Sequence, residues 1–143
     1  MRVVVGIGGS EADGPALRHG VKEARAHGVP LLLVHAWEIA PFDYGPLGPS
    51  VPPDPGPYER ASRRVLDEAL ASARAAAPGM EVDGMLVEGA PVDALLEVAA
   101  DDDLLVVGSV RKGGLAERLP GSFARRCVDR ATCPVLVVPA PSR

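Results

Sequence analysis

Between Leu104 and Ser122 the chain sets small and basic residues where an anion could be held. An apolar run, Leu104-Leu105-Val106-Val107, leads into Gly108, Ser109, Val110, Arg111, Lys112, Gly113 and Gly114; Gly121-Ser122 then opens a helical stretch. A buried strand followed by small residues and a helix start is how α/β proteins hold phosphate. The first-turn N–H groups lack intrahelical acceptors, and the helix dipole is positive at that end. Glycine there lets backbone approach a ligand closely and reach positive φ. Ser122 suits the same task through its hydroxyl and its N–H, although it could equally cap its own helix. The nearby cations Arg111, Lys112, Arg118, Arg125 and Arg126 read as a solvated face or as phosphate partners.

A second glycine turn, Gly6-Ile7-Gly8-Gly9-Ser10, follows the first apolar run. It carries the first two glycines of a dinucleotide fingerprint, and Glu38 stands at the end of the next strand. Glu11, however, occupies the third glycine position, where helix and strand must pack closely. No Gly-Lys-Ser/Thr phosphate loop occurs. Ser10, Ser109 and Ser122 lie in small-residue loops, but none sits in a nucleophile elbow. His19 and His27 fall on the first helix and His35 within the second strand, positions that suit structural histidines. His35 is near enough to the strand end to approach a crevice there. No acid/base pair and no nucleophile emerge, so a binding protein is expected, with at most slow ATP hydrolysis.

Taken together, the Leu105-Val-Val-Gly-Ser run, the basic Gly-Gly-Leu loop, Gly121-Ser122 and Cys133-Pro-Val-Leu-Val-Val resemble the universal stress protein family. The start, Val3-Val4-Val5-Gly6-Ile7-Gly8-Gly9-Ser10, resembles it too, and the likeness covers nearly the whole chain. The family's nucleotide-binding branch carries G-x2-G-x9-G-[ST]; Gly108, Gly121 and Ser122 match it, while Arg111 replaces the middle glycine. Gly8 stands where the family usually has Asp. The resemblance implies a regulatory module of the stress response that binds ATP, with or without Mg2+. It places Ile7, Gly8 and Ala36 around adenine and ribose. Gly108, the Arg111 position, Gly121 and Ser122 then surround the phosphates, with Val107 and Phe123 also among the binding residues. It also implies a homodimer built through the last strand, Val135 to Val138.

The two departures leave an alternative open. Without a carboxylate at position 8, one ligand hydrogen bond worth about 0.5–1.5 kcal/mol is lost. Arg111 either costs roughly 1–2 kcal/mol where positive φ is needed, or grips the phosphates bidentately, or lies in solvent. A relative that binds no ATP would work as a dimeric protein-interaction module.

Composition agrees with a single domain spanning residues 1–143, large enough for its own core. Aromatics make up only 3% of the chain, so Val, Leu and Ala must fill that core, as parallel strands under Ala-rich helices do. A net charge of −4 argues against nucleic acid as partner. Two cysteines, Cys127 and Cys133, make neither a disulfide framework nor a zinc site and read as reduced core thiols. No apolar run approaches the roughly 18 residues of a membrane span, and the chain opens on a strand; no membrane and a cytoplasmic location are expected.

Strands are predicted at 2–7, 31–37, 82–88 (weakened by Gly84), 104–107 and 135–138. Between them run helical stripes: Ala16, Leu17, Gly20, Val21 and Ala24; Tyr58, Ala61, Val65, Leu66, Ala69, Leu70 and Ala73; Val92, Leu95, Leu96 and Ala99. Asp13 or Ser10 is the candidate N-cap of the first helix. Residues 38–57 hold Pro41, Pro46, Pro49, Pro52, Pro53, Pro55 and Pro57, too many for a helix or central strand, and read as a flexible loop, either lid or linker. Asp101-Asp102-Asp103 reads as a solvated turn rather than a metal site. Alternating strands and helices predict an open five-stranded parallel sheet with helices on both faces, a Rossmann-like α/β fold. Its ligand crevice lies beyond the strands' carboxyl ends, where the strand order reverses.

Overall fold

The computed structural model describes residues 1–38, 54–109 and 122–140. Five strands form one sheet in the order β3-β2-β1-β4-β5: β1 (Val3–Ile7), β2 (Leu31–Trp37), β3 (Val82–Glu88), β4 (Leu104–Ser109) and β5 (Val135–Pro139). Every pairing is parallel. Four helices connect them: α1 (Asp13–His27), α2 (Gly56–Ala76), α3 (Pro91–Val98) and α4 (Ser122–Arg130). The chain steps outward from β1 to β3, then returns to build β4 and β5 on the other side of β1. The order therefore reverses between β1 and β4, the crevice position of an open α/β sheet.

Period-two alternation explains the two cores. Val3, Val5 and Ile7 of β1 point toward Ala16, Leu17, Val21 and Ala24 of α1 and Leu66 and Ala73 of α2. Val4, with Leu32, Val34, Leu105 and Val107, faces Val92 and Leu95 of α3 and Ala124 and Cys127 of α4. Each fully buried Val or Leu contributes about 1.5–3 kcal/mol. β1, buried along its whole length on both faces, is the strand the rest rely on.

Several expectations about the elements need correction. Residues 56 and 57, assigned to the proline-rich loop, begin α2 instead: Pro57 sits in the first turn, where the missing N–H costs nothing, and Asp54 accepts the Gly56 N–H at 2.9 Å. Residues 39–53 of that loop lie outside the described residues. Tyr58 and Ala61, near the start of α2, are exposed, while the stripe from Val65 to Ala73 packs. Ala99 follows the last residue of α3 rather than extending its stripe. Gly84 does not weaken β3 so much as admit α2, since a Cβ there would stand 2.8 Å from a Leu70 methyl.

The acidic run is not a solvated turn throughout. Asp103 is 2% exposed. Its carboxylate accepts from the Arg2 backbone N–H (2.8 Å), the Ala100 N–H (2.9 Å) and the Arg2 guanidinium (2.9 Å). Burial alone would raise its pKa, but those donors outweigh it and hold the carboxyl below its usual range. The bond joins the entry of β4 to the entry of β1, sealing the amino end of the sheet.

Candidate functional site

The carboxyl ends of β1, β2 and β4 open into a crevice of about 300 Å³, at the lower bound of small-molecule sites. Gly6 and Ile7 of β1 and Val34 and Ala36 of β2 form its floor. Pro91 and Leu95 of α3 make one wall, and Phe123 and Ala124 of α4 another. Polar groups enter at few points: Ser10 and Asp13 from the β1–α1 turn, His35 from β2 and Ser122 from α4. Apolar walls with a handful of directed polar groups are the usual build of a small-molecule pocket.

Of the expected ligand residues, Ile7, Gly8, Ala36, Gly108, Ser122 and Phe123 line this crevice. Val107 does not; its side chain is fully buried in the core facing α3 and α4, one position short of the opening. Arg111 and Gly121 lie outside the described residues, as do Lys112, Gly113, Gly114 and Arg118. Arg125 and Arg126 are exposed on α4.

Gly108 has a structural reason of its own. A Cβ built there would lie 2.7 Å from the Ala12 carbonyl oxygen and 2.8 Å from the Ala12 methyl. The start of α1 therefore crosses directly over the end of β4, and no side chain fits between them. That crossing brings the β1–α1 turn and the end of β4 to a single opening.

The β1–α1 turn is closed from an unexpected side. Asp13 was a candidate N-cap, yet it is the first residue of α1, and the cap position, Ala12, makes no side-chain bond. The Asp13 carboxylate reaches back instead: Oδ1 accepts from the Gly8 N–H at 2.8 Å and Oδ2 from the Gly9 N–H at 2.7 Å. Gly9, at φ 83°, makes the turn that aims both amides at it. Ser10 Oγ accepts the Ala12 N–H at 3.2 Å. An acidic residue in the first turn of α1 also complements the helix dipole, whereas the first turn of α4 holds none.

His35 is both anchored and placed at the opening. Its Nδ1 donates to the Ile7 carbonyl oxygen at 2.6 Å, which puts the ring proton on that nitrogen. Both roles expected of it, structural and crevice-facing, meet in one side chain, because Ile7 pairs with His35 across β1 and β2.

Cys127 is buried as expected, whereas Cys133, expected in the core as well, is only half-buried. Burial pushes Cys127 up to about 11, against a weak opposing pull from Arg130, and raises Cys133 as well. Among the described residues no cluster of three or more His, Cys, Asp or Glu side chains could hold a metal ion. No helix among them is long and apolar enough to cross a membrane.

Comparison with known proteins agrees with this architecture. Residues 1–139 match the sequence model of the universal stress protein family. A universal stress protein of Mycolicibacterium smegmatis is 37% identical over 136 residues, covering 95% of this chain and 45% of that protein. The chain thus spans about half the length of that relative. One from Thermus aquaticus is 34% identical over 141 residues, covering 95% of this chain and 96% of its own. Among solved structures, a universal stress protein from Archaeoglobus fulgidus superposes with a TM-score of 0.68 at 26% identity, covering 96% of this chain and 98% of that one. A universal stress protein in complex with cAMP gives the same TM-score and identity, covering 97% of this chain and 98% of its own. The chain belongs to the universal stress protein family.

Proposed function

We propose that this chain is a regulatory module of the stress response that binds an adenine nucleotide in the crevice between β1 and β4, ATP being the ligand its motif resembles. The observation that carries the reading is the crevice itself, at the strand-order reversal, with apolar walls for a base and the N-terminus of α4 at its rim. The fit to the ligand is chemical as well as spatial. Ser122 is exposed at the first position of α4, and no acidic residue in that turn opposes a phosphate. The cAMP complex of a 26%-identical relative supports the same class of ligand. Ile7, Gly8 and Ala36 would surround base and sugar, with Gly108, Ser122 and Phe123 toward the phosphates.

Calorimetric titration with Mg-ATP tests this. We expect saturable binding, a fold stabilised by about 2.7 kcal/mol at 100 times the dissociation constant, and loss of both in Ala36→Trp, which fills the floor without touching the buried core. Absence of binding in the wild-type chain, restored by Arg111→Gly, would favour the alternative module that works through protein contacts alone.

A homodimer belongs to the same proposal. β5 is an edge strand, and Val135, Leu136 and Val137 are only half-buried against their own chain. The Ala140 N–H donates inward to Ser109, so by alternation the N–H groups of Val135 and Val137 point outward. Pro139 also falls on the outward side, where its missing N–H is harmless. A second copy could pair there about a two-fold axis. Light scattering should report a dimer that Val137→Pro shifts to monomer with the β4–β5 ladder intact. A wild-type monomer at all concentrations would sink the idea.

A further inference from the structure

The crevice has two chemically different ends, and the difference concerns one side chain. At the β4–α4 end, Ser122 begins a helix whose first turn carries no acidic residue. At the β1–α1 end, the Gly8 and Gly9 amides are already occupied by the Asp13 carboxylate at 2.8 and 2.7 Å. Those amides are therefore not available to a phosphate, and the carboxylate repels one. Among the described residues each Asp13 oxygen accepts a single hydrogen bond, which leaves it a second lone pair. Asp13 is half-buried and lines the crevice, so a ligand can reach it. Among the described lining residues it is the only carboxylate.

From this geometry we infer that Asp13 is a specificity-determining residue that accepts hydrogen bonds from the sugar hydroxyls of the bound nucleotide and thereby sets the direction in which it lies. The ligand class is a nucleotide with free ribose hydroxyls, sugar toward the β1–α1 turn and phosphates toward α4. A carboxylate pre-oriented by two backbone donors costs little to organise for a hydroxyl. A ligand lacking hydroxyls leaves that charge facing an apolar sugar edge. The inference rests on the nucleotide reading above, and the experiment separates the two.

The full chain is titrated calorimetrically with ATP and with 2′,3′-dideoxy-ATP, in the wild type and in Asp13→Ala. In the wild type ATP should bind at least about tenfold more tightly. In Asp13→Ala the two nucleotides should converge to within about twofold, chiefly through weaker ATP binding. ATP binding with no preference in the wild type, or a preference that survives Asp13→Ala, overturns the role of Asp13 and leaves the nucleotide reading standing. If neither nucleotide binds the wild type, both fall. Should Asp13→Ala not fold, the same two titrations in Asp13→Asn decide: the preference should shrink there, and a preference equal to that of the wild type overturns the role of Asp13.

Discussion

Two aspartates sit at opposite ends of the sheet, and each holds a pair of backbone N–H groups. Asp103, at the amino end, ties Arg2 to Ala100; Asp13, at the carboxyl end, ties Gly8 to Gly9. The bonds are alike in length, and the surroundings are not. Asp103 is sealed from water and also grips the Arg2 guanidinium, whereas Asp13 is half-buried at an open crevice. One bonding pattern thus serves both ends of the sheet. Where every acceptor position is enclosed, it stabilises; where lone pairs remain accessible, it can meet a ligand.

Substituting each aspartate should expose that difference. The largest effect belongs to Asp103→Ala, which orphans two amides and the Arg2 charge. We expect a loss of about 3 kcal/mol, near the lower end for broken buried pairs because Arg2 still reaches solvent. The melting temperature should fall by about 10 °C, while ATP affinity stays unchanged. The same residue sets a pH dependence. Its carboxyl is held below the usual value of 3.8, so its contribution is complete above that value and lost as pH falls through the lower folded value. Urea midpoints between about pH 2 and 6 should drop steeply at the acid end in the wild type and less so in Asp103→Ala. A slope unaltered by the substitution would assign acid sensitivity elsewhere. The smallest effect on stability is that of Asp13→Ala, under about 1 kcal/mol, because the exposed Gly8 and Gly9 amides can turn to water. Its signature is in ligand choice instead. A loss as large as that of Asp103→Ala would make Asp13 a structural staple and blur the comparison.

The glycine at the end of β4 belongs to the same contrast. The resemblance to nucleotide-binding relatives marks Gly108 as a ligand residue, but the backbone of Ala12 demands glycine there with or without a ligand. Position 108 therefore cannot by itself report whether a nucleotide binds. Ser122, exposed at the helix start, is the more informative place to look.

What the chain's order of residues determined is the architecture. Valine runs buried on both faces specify central parallel strands, and Ala16, Leu17, Gly20, Val21 and Ala24 recur at the helical period that covers them. Strand–helix alternation then leads to the sheet and to a crevice at its carboxyl end. These are local signals, a few residues apart, and they survive being read one segment at a time. Tertiary structure alone decided which polar groups meet there. Asp103 could be told from Asp101 and Asp102 only once Arg2, 101 residues earlier, lay beside it. His35 reached the crevice through its pairing with Ile7, and Gly108 acquired its steric role when α1 crossed β4. Asp13 is nearest to having been legible, just four or five residues from the amides it holds. Even so, its carboxylate turned backward rather than capping α1, because Gly9 bends the chain to meet it. Burial and through-space partners, not residue type, separate a structural carboxylate from one that can touch a ligand.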